Sequence, residues 1–136
     1  MPERAVYSLM AGNATLTAVV PAVRIFKGRA SQKPTLPYIV FRRGDTTPLY
    51  SLAGRNELTR AEFTIIGVSD SYDTAKSVET KIRNALVDQS GTYGGVLVQW
   101  IIWEGGSSDT VETRLSGGEV TLFEVYQEFA VWYKAV

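Results

Sequence analysis

The chain has 136 residues, 45% hydrophobic and 21% charged, which suits one globular unit; at that size a domain buries roughly 68% of its unfolded surface. Fourteen Lys plus Arg balance fourteen Asp plus Glu, so bulk charge draws the chain to neither nucleic acid nor an anionic membrane, although a local basic patch stays open. His and Cys are both absent, which excludes the Ser-His-Asp triad, the Cys-His dyad, thiolate chemistry, disulfides and the usual zinc sites.

Pro2, Glu3 and a run of helix formers to Ala11 predict a short helix with proline in the first turn and Gly12 as its stop. Asn13 is placed to cap a second helix over Ala14 to Val20, which Pro21 ends. Glu3 interrupts any secretory-type apolar run, so an unexported, soluble protein is expected and the Asn13-Ala14-Thr15 sequon reads as accidental.

Arg24 to Lys27 predicts a short strand, followed by a polar loop through Ser31, Pro34 and Pro37. Tyr38 to Arg43 is rich in β-branched and aromatic residues and reads as a strand ended by Gly44-Asp45. Thr46 to Asn56, with Pro48 and Gly54, reads as an irregular loop with an edge strand at most around Leu49 to Leu52. Glu57 to Val68 then alternates as a long strand.

The strongest helix signal covers Tyr72 to Gln89, with Ala75, Val78, Ile82, Ala85 and Leu86 on one face. Ser71 is its cap, Glu79 and Arg83 form an i,i+4 pair, and Gly91 is its end. Gly94-Gly95 turns the chain into Val96 to Trp103, apolar on both alternations and far short of the ~20 residues of a membrane helix. A buried central strand is expected, with Trp100, Trp103 and Trp132 in the core. Glu104 to Gly118 reads as a polar, glycine-rich loop of about fifteen residues, a length that compact domains usually reserve for function. Glu119 to Lys134 closes the chain as a long strand. The order αα-β-β-β-α-β-β predicts an α+β fold: a mostly antiparallel sheet with one long helix packed across it and a short helical N-terminal unit.

Candidate chemistry is sparse. Glu104, Asp109, Glu112 and Glu119 gather around the long loop, and a carboxylate pair there would serve a small enzyme or a hard-metal site. Their spacing matches no calcium or magnesium loop, and a solvated acidic loop is the reading they favour. Glu124 and Glu128 lie on one face of a strand roughly 13 Å apart, with Arg60 or Lys134 as expected cross-strand partners. Arg42-Arg43 beside Tyr38 and Phe41 faintly resembles a basic-aromatic nucleic-acid surface, but zero net charge and the lack of other Lys/Arg clusters favour the charged edge of a sheet. The glycine pairs lack the Lys and Ser/Thr of a phosphate loop and read as turns.

Arg24-Ile25-Phe26-Lys27-Gly28-Arg29-Ala30, then Leu36-Pro37-Tyr38-Ile39-Val40-Phe41, Leu52-Ala53-Gly54, a strand-to-helix passage through Tyr72 and Ala75, and Glu128-Phe129-Ala130-Val131-Trp132-Tyr133 together resemble the tail completion, or tail terminator, proteins of long-tailed bacteriophages. The resemblance covers nearly the whole chain, and the Leu-Pro-Tyr strand and the closing strand carry most of it. It implies a single tail-terminator-like domain over residues 1–136 and a homo-hexameric ring at the head-proximal end of the tail tube, assembled in the host cytoplasm. Such a ring ends tube polymerisation and joins the tail to the neck. Its partners would be other copies of itself, the tail tube protein, a neck or stopper protein and the tape-measure protein. DNA would pass through the lumen without specific binding, and no membrane, cofactor, metal or catalytic residue is implied. A stopper or adaptor of the same neck is the neighbouring alternative. Arg42, Arg43, Asp45 and Arg55 in the first loop region, and Glu104, Asp109, Glu112 and Arg114 in the second, are the expected protein-contact residues.

Overall fold

The structure, a computed structural model, describes residues 2–28, 35–51, 54–106, 111–114 and 121–135, and their side chains except at 49–51, 54–57, 106, 111–114, 121 and 135. Helix α1 (Glu3–Ala11) starts after Pro2 and buries Ala5, Val6 and Met10. In α2 (Ala14–Thr17) the Asn13 side chain accepts the Leu16 N–H at 3.0 Å, the expected cap. This helix is shorter than expected: the Val19 and Val20 N–H groups both return to the Leu16 carbonyl, which closes the turn ahead of Pro21. Helix α3 (Tyr72–Leu86) is capped by Ser71 and buries the five residues predicted from its periodicity. It ends before Gly91, because Asp88, at φ 60, takes the left-handed position.

Seven strands among the described residues make one sheet: β1 (Ile25–Lys27), β2 (Tyr38–Ser51), β3 (Gly54–Ser69), β4 (Gly91–Tyr93), β5 (Val96–Gly106), β6 (Val111–Arg114) and β7 (Thr121–Ala135). Their order is β1-β2-β3-β7-β5-β4, with β6 also on β7. The β1–β2 pairing is parallel and the rest antiparallel. The fold is thus α+β with a mostly antiparallel sheet, as the element order predicted, and α3 lies across one face.

Two expected loops contain strand: 46–51 and 54–56 in the first, 104–106 and 111–114 in the second, while 52–53, 107–110 and 115–118 lie outside the described residues. β2 does not stop at Gly44-Asp45 but runs on to Ser51, absorbing extra residues as bulges between Arg43 and Thr46 and between Pro48 and Tyr50. Pro48 is tolerated because β1 covers β2 only at Ile39 to Phe41, so beyond that point β2 is an edge where a missing N–H breaks no ladder bond. The second expected loop is shorter than it looked: β5 extends to Gly106, opposite Gln127, and β6 resumes along the same edge of β7, opposite Glu124. The short strand β4 carries no periodicity in the sequence and was missed.

Alternation sorts the side chains. Ile39, Phe41, Ala61, Phe63, Ile65, Phe129 and Val131 face α1 and α3 in one buried cluster. In β5 a bulge between Val98 and Trp100 shifts the inward set from Val96 and Val98 to Ile101. The expectation that Trp100 and Trp103 are core is therefore wrong: they are 49% and 39% exposed.

The two long hairpins point to opposite ends of the sheet. The β2–β3 pairing continues to Ser51↔Gly54, beyond the last β3–β7 pair, Thr59↔Tyr133. At the other end β6–β7 continues to Arg114↔Thr121, beyond Ser69↔Phe123.

Candidate assembly surface

The sheet face turned away from α3 carries the side chains of the other alternation, and it has two distinct regions. At the β5 side the centre is Arg60. Its Nη1 donates to Glu62 Oε1 at 2.8 Å and its Nη2 to Glu104 Oε2 at 2.5 Å, while the guanidinium lies 5.4 Å from the Trp132 ring centroid. The hydrogen bond to Glu62, with the nearby Glu104 and Glu62 charges, pushes the Arg60 pKa above its ordinary value against a partial desolvation. Arg60 therefore remains a fixed cation.

Trp132 stacks on Trp100, and the Trp100 Nε1–H donates to Asp88 Oδ1 at 3.0 Å. Asp88 is itself held by its backbone N–H, which donates to the Ile101 carbonyl at 3.0 Å. The half-exposed Trp100 is thus clamped from behind and from the side. Rigid, partly exposed aromatic rings of this kind dominate binding energy at protein interfaces, because little side-chain freedom is left to lose.

At the β2 side, Ile66, Val68 and Leu122 form a second apolar cluster with Leu36, Tyr38 and Tyr126 packed against it. A cleft of about 200 Å³ opens there between Tyr38, Val40, Arg42, Ile66, Val68, Glu124 and Tyr126. The Tyr126 hydroxyl donates to Glu124 Oε2 at 2.7 Å. That bond, then burial and the Glu124 charge, raises the Tyr126 pKa, with Arg42 opposing; burial first and Glu124 second raise that of Tyr38.

Around the end of β1 a wider cleft of about 360 Å³ is lined by Glu3, Lys27, Gly28, Phe41, Arg42 and Arg43. Arg42 Nε donates to the Gly28 carbonyl at 2.9 Å, Arg43 pairs with Glu3 at 3.6 Å, and Lys27 lies 5.6 Å from the Tyr7 ring centroid.

The structure scatters the expected contact residues. Arg42, Arg43 and Asp45 share the exposed edge of β2, with Arg42 and Arg43 on opposite faces by alternation. Glu104 lies across the sheet on β5, bound to Arg60. Arg55 is near the end of the β2–β3 hairpin, opposite Tyr50, and Glu112 and Arg114 are on β6, opposite Phe123 and Thr121; Asp109 lies outside the described residues. Arg60 does not serve Glu124 or Glu128 as expected: Glu124 takes the Tyr126 hydroxyl instead, and Glu128 is exposed. The Arg60 group went unread, although Arg60 and Glu62, two residues apart on a strand, already share a face. The Trp100–Asp88 contact depends on a bulge and a left-handed turn that have no sequence pattern.

Among the described residues no three His, Cys, Asp or Glu side chains gather as a metal site, and no helix is long and apolar enough to cross a membrane. These surfaces offer clamped aromatics, fixed ion pairs and open strand edges, features suited to holding another protein.

A family model described as Tail completion protein gp17 matches residues 4–132. Among solved structures, a chain of the "Virion of native gene transfer agent (GTA) particle" superposes with a TM-score of 0.70 at 16% identity, covering 96% of this chain and 92% of that one. A second solved chain, at 14% identity and a TM-score of 0.48, covers 96% of both chains. No curated protein matches the chain.

Proposed function

The chain belongs to the Tail completion protein gp17 family and is a structural component of a virion tail, not an enzyme; on that premise we propose that it forms a hexameric ring at the head-proximal end of the tail tube. In this reading residues 1–136 act as one tail-terminator-like unit. The ring ends tube polymerisation and presents a different surface to the neck protein, while DNA passes through the lumen without specific binding. Contacts that close by rotation give a ring whose two faces need not be alike.

The observation that supports this reading most is the pair of hairpins at opposite ends of the sheet, β2–β3 closing at Ser51↔Gly54 and β6–β7 at Arg114↔Thr121. A subunit placed between two unlike neighbours needs an arm toward each. Arg55 on one arm and Glu112 and Arg114 on the other are proposed as contacts with tube and neck, and Arg42, Arg43, Asp45 and Glu104 as contacts between subunits.

The test is to polymerise purified tail tube protein with and without this protein. Under the proposal, tubes stop growing at one end and carry a ring there under negative-stain microscopy. Unchanged tube lengths, with no added density at either end, would refute it.

A further inference from the structure

Within the ring proposed above, and resting on that reading, we infer that neighbouring subunits meet by opposite edges of the sheet: the Lys27–Arg42–Arg43 edge of one copy receives the Trp100–Asp88–Glu104 edge of the next.

Three observations converge on a second copy as the occupant. The first is the pair of open edges. β1 covers β2 only as far as Phe41 and β4 covers β5 only as far as Val98. Beyond these points neither outer edge carries a strand among the described residues, apart from the Asp88 N–H on Ile101. Both edges are bulged, which blocks a continuous inter-subunit ladder and leaves the contact to side chains.

The second is height along the strands. Gly105 pairs with Glu128, Glu128 with Thr64, and Thr64 with Arg42; Trp103 pairs with Phe129, Phe129 with Phe63, and Phe63 with Arg43. Glu104 is therefore level with Arg42 and Arg43 on the far side of the sheet. By the same ladder Trp100 is level with Trp132, Arg60 and the exposed Thr47. A rotation about an axis parallel to the strands preserves height, so it brings level residues together.

The third is charge. On the β2 side the outer strands β1 and β2 carry Lys27, Arg42 and Arg43 against Asp45; of these cations only Arg43 has a carboxylate within salt-bridge distance among the described residues, Glu3 of α1. On the β5 side the outer strand and the turn before β4 carry Glu104 and Asp88, while Arg60, the partner of Glu104, lies two strands in on β3 and Arg83 of α3 lies over the Trp103 ring. Complementary edges of this kind fix register and orientation, and the clamped Trp100 supplies the apolar anchor.

The experiment exploits the absence of native cysteine. Thr47→Cys and Gln99→Cys are both exposed and leave the charged residues intact. The two substitutions are made singly and together, and each protein is treated with a short bis-maleimide cross-linker, which adds to both thiols, free in solution and bound to tail tubes. The expected result is a covalent series of dimers up to hexamers with the double variant, and monomers with either single one. Monomers alone from the double variant in both settings would overturn the inference, as would dimers from a single variant, which mark a two-fold contact. As a second reading, a chain with Arg42→Glu and Arg43→Glu mixed with a Trp100→Ala, Glu104→Ala chain stops at one-to-one dimers if the edges pair head to tail. If each variant still forms rings alone, the edges are not the interface. Tube capping by the wild-type protein separates the two levels: capping without the cross-link rejects only this interface, whereas no capping rejects the ring function itself.

Discussion

Trp100 stacks against Trp132 with ring centroids 5.6 Å apart and planes inclined at 27°, yet Trp100 keeps 49% of its surface exposed. Trp132, expected in the core, is only half-buried beneath it on the sheet face turned away from α3 and belongs to neither core cluster. The Trp100→Ala variant is expected to lose about 1.5–3 kcal/mol of stability, the stacked pair plus the burial of half a ring. Phe63→Ala or Phe129→Ala, at 1% exposure, should cost about 3–5 kcal/mol. Urea denaturation of the three variants measures both, and oligomer size by light scattering shows whether Trp100→Ala affects assembly more than folding.

Helix α3 packs directly on the sheet at Gly67. A Cβ there would come within 2.9 Å of Val78 Cγ1, so Gly67→Ala has to push α3 away from β3. Overpacking of this kind costs about 1–3 kcal/mol. Thermal unfolding should show that loss, and pairing Gly67→Ala with Val78→Ala should recover part of it.

Gln127 is fully buried beneath α3; its Nε2 donates to the Glu79 carbonyl at 2.9 Å while its Oε1 has no partner. A hydrogen bond contributes about 1 kcal/mol net, and an unpaired buried acceptor costs about 1–3 kcal/mol. Gln127→Met, which keeps the volume and removes both polar atoms, is therefore expected to be neutral or stabilising. A large fall in the urea midpoint would mean that Oε1 is bonded in solution.

Tyr126 links pH to stability through its bond to Glu124. Its folded pKa is raised above the ordinary 10.0, so the neutral phenol is favoured by folding. The contribution is complete below the unfolded value and is lost as pH rises through the folded one. Absorbance titration should show Tyr126 ionising later than a free tyrosine. Tyr126→Phe should weaken the fold at neutral pH and flatten its stability change in the alkaline range.

Much of the architecture could be read from the residues, and the reasons are specific. The α3 stripe of Ala75, Val78, Ile82, Ala85 and Leu86 is a plain helical period, and all five are buried; Asn13 and Ser71 cap as their chemistry dictates. Strand ends were the weak point. Polar β2 residues beyond Arg43 and the glycines of β5 look like loop in sequence, but long strands in the sheet hold them through bulges and edge positions. The same bulges decide which tryptophan faces outward, so the Trp100 and Arg60 groups had no direct sequence signal beyond the two-residue spacing of Arg60 and Glu62. In the sequence Arg42 and Arg43 end one strand and Glu104 opens a separate polar stretch; what relates them is a shared height across the sheet, a property of strand register.

Locating the protein in intact particles shows whether it closes the head-proximal end of a tail. Gold-labelled antibody against the chain should mark a single band at the junction of tail and head in every tailed particle. Label at the distal tip, on the capsid or along the whole tube, or its absence from purified particles, would contradict the account.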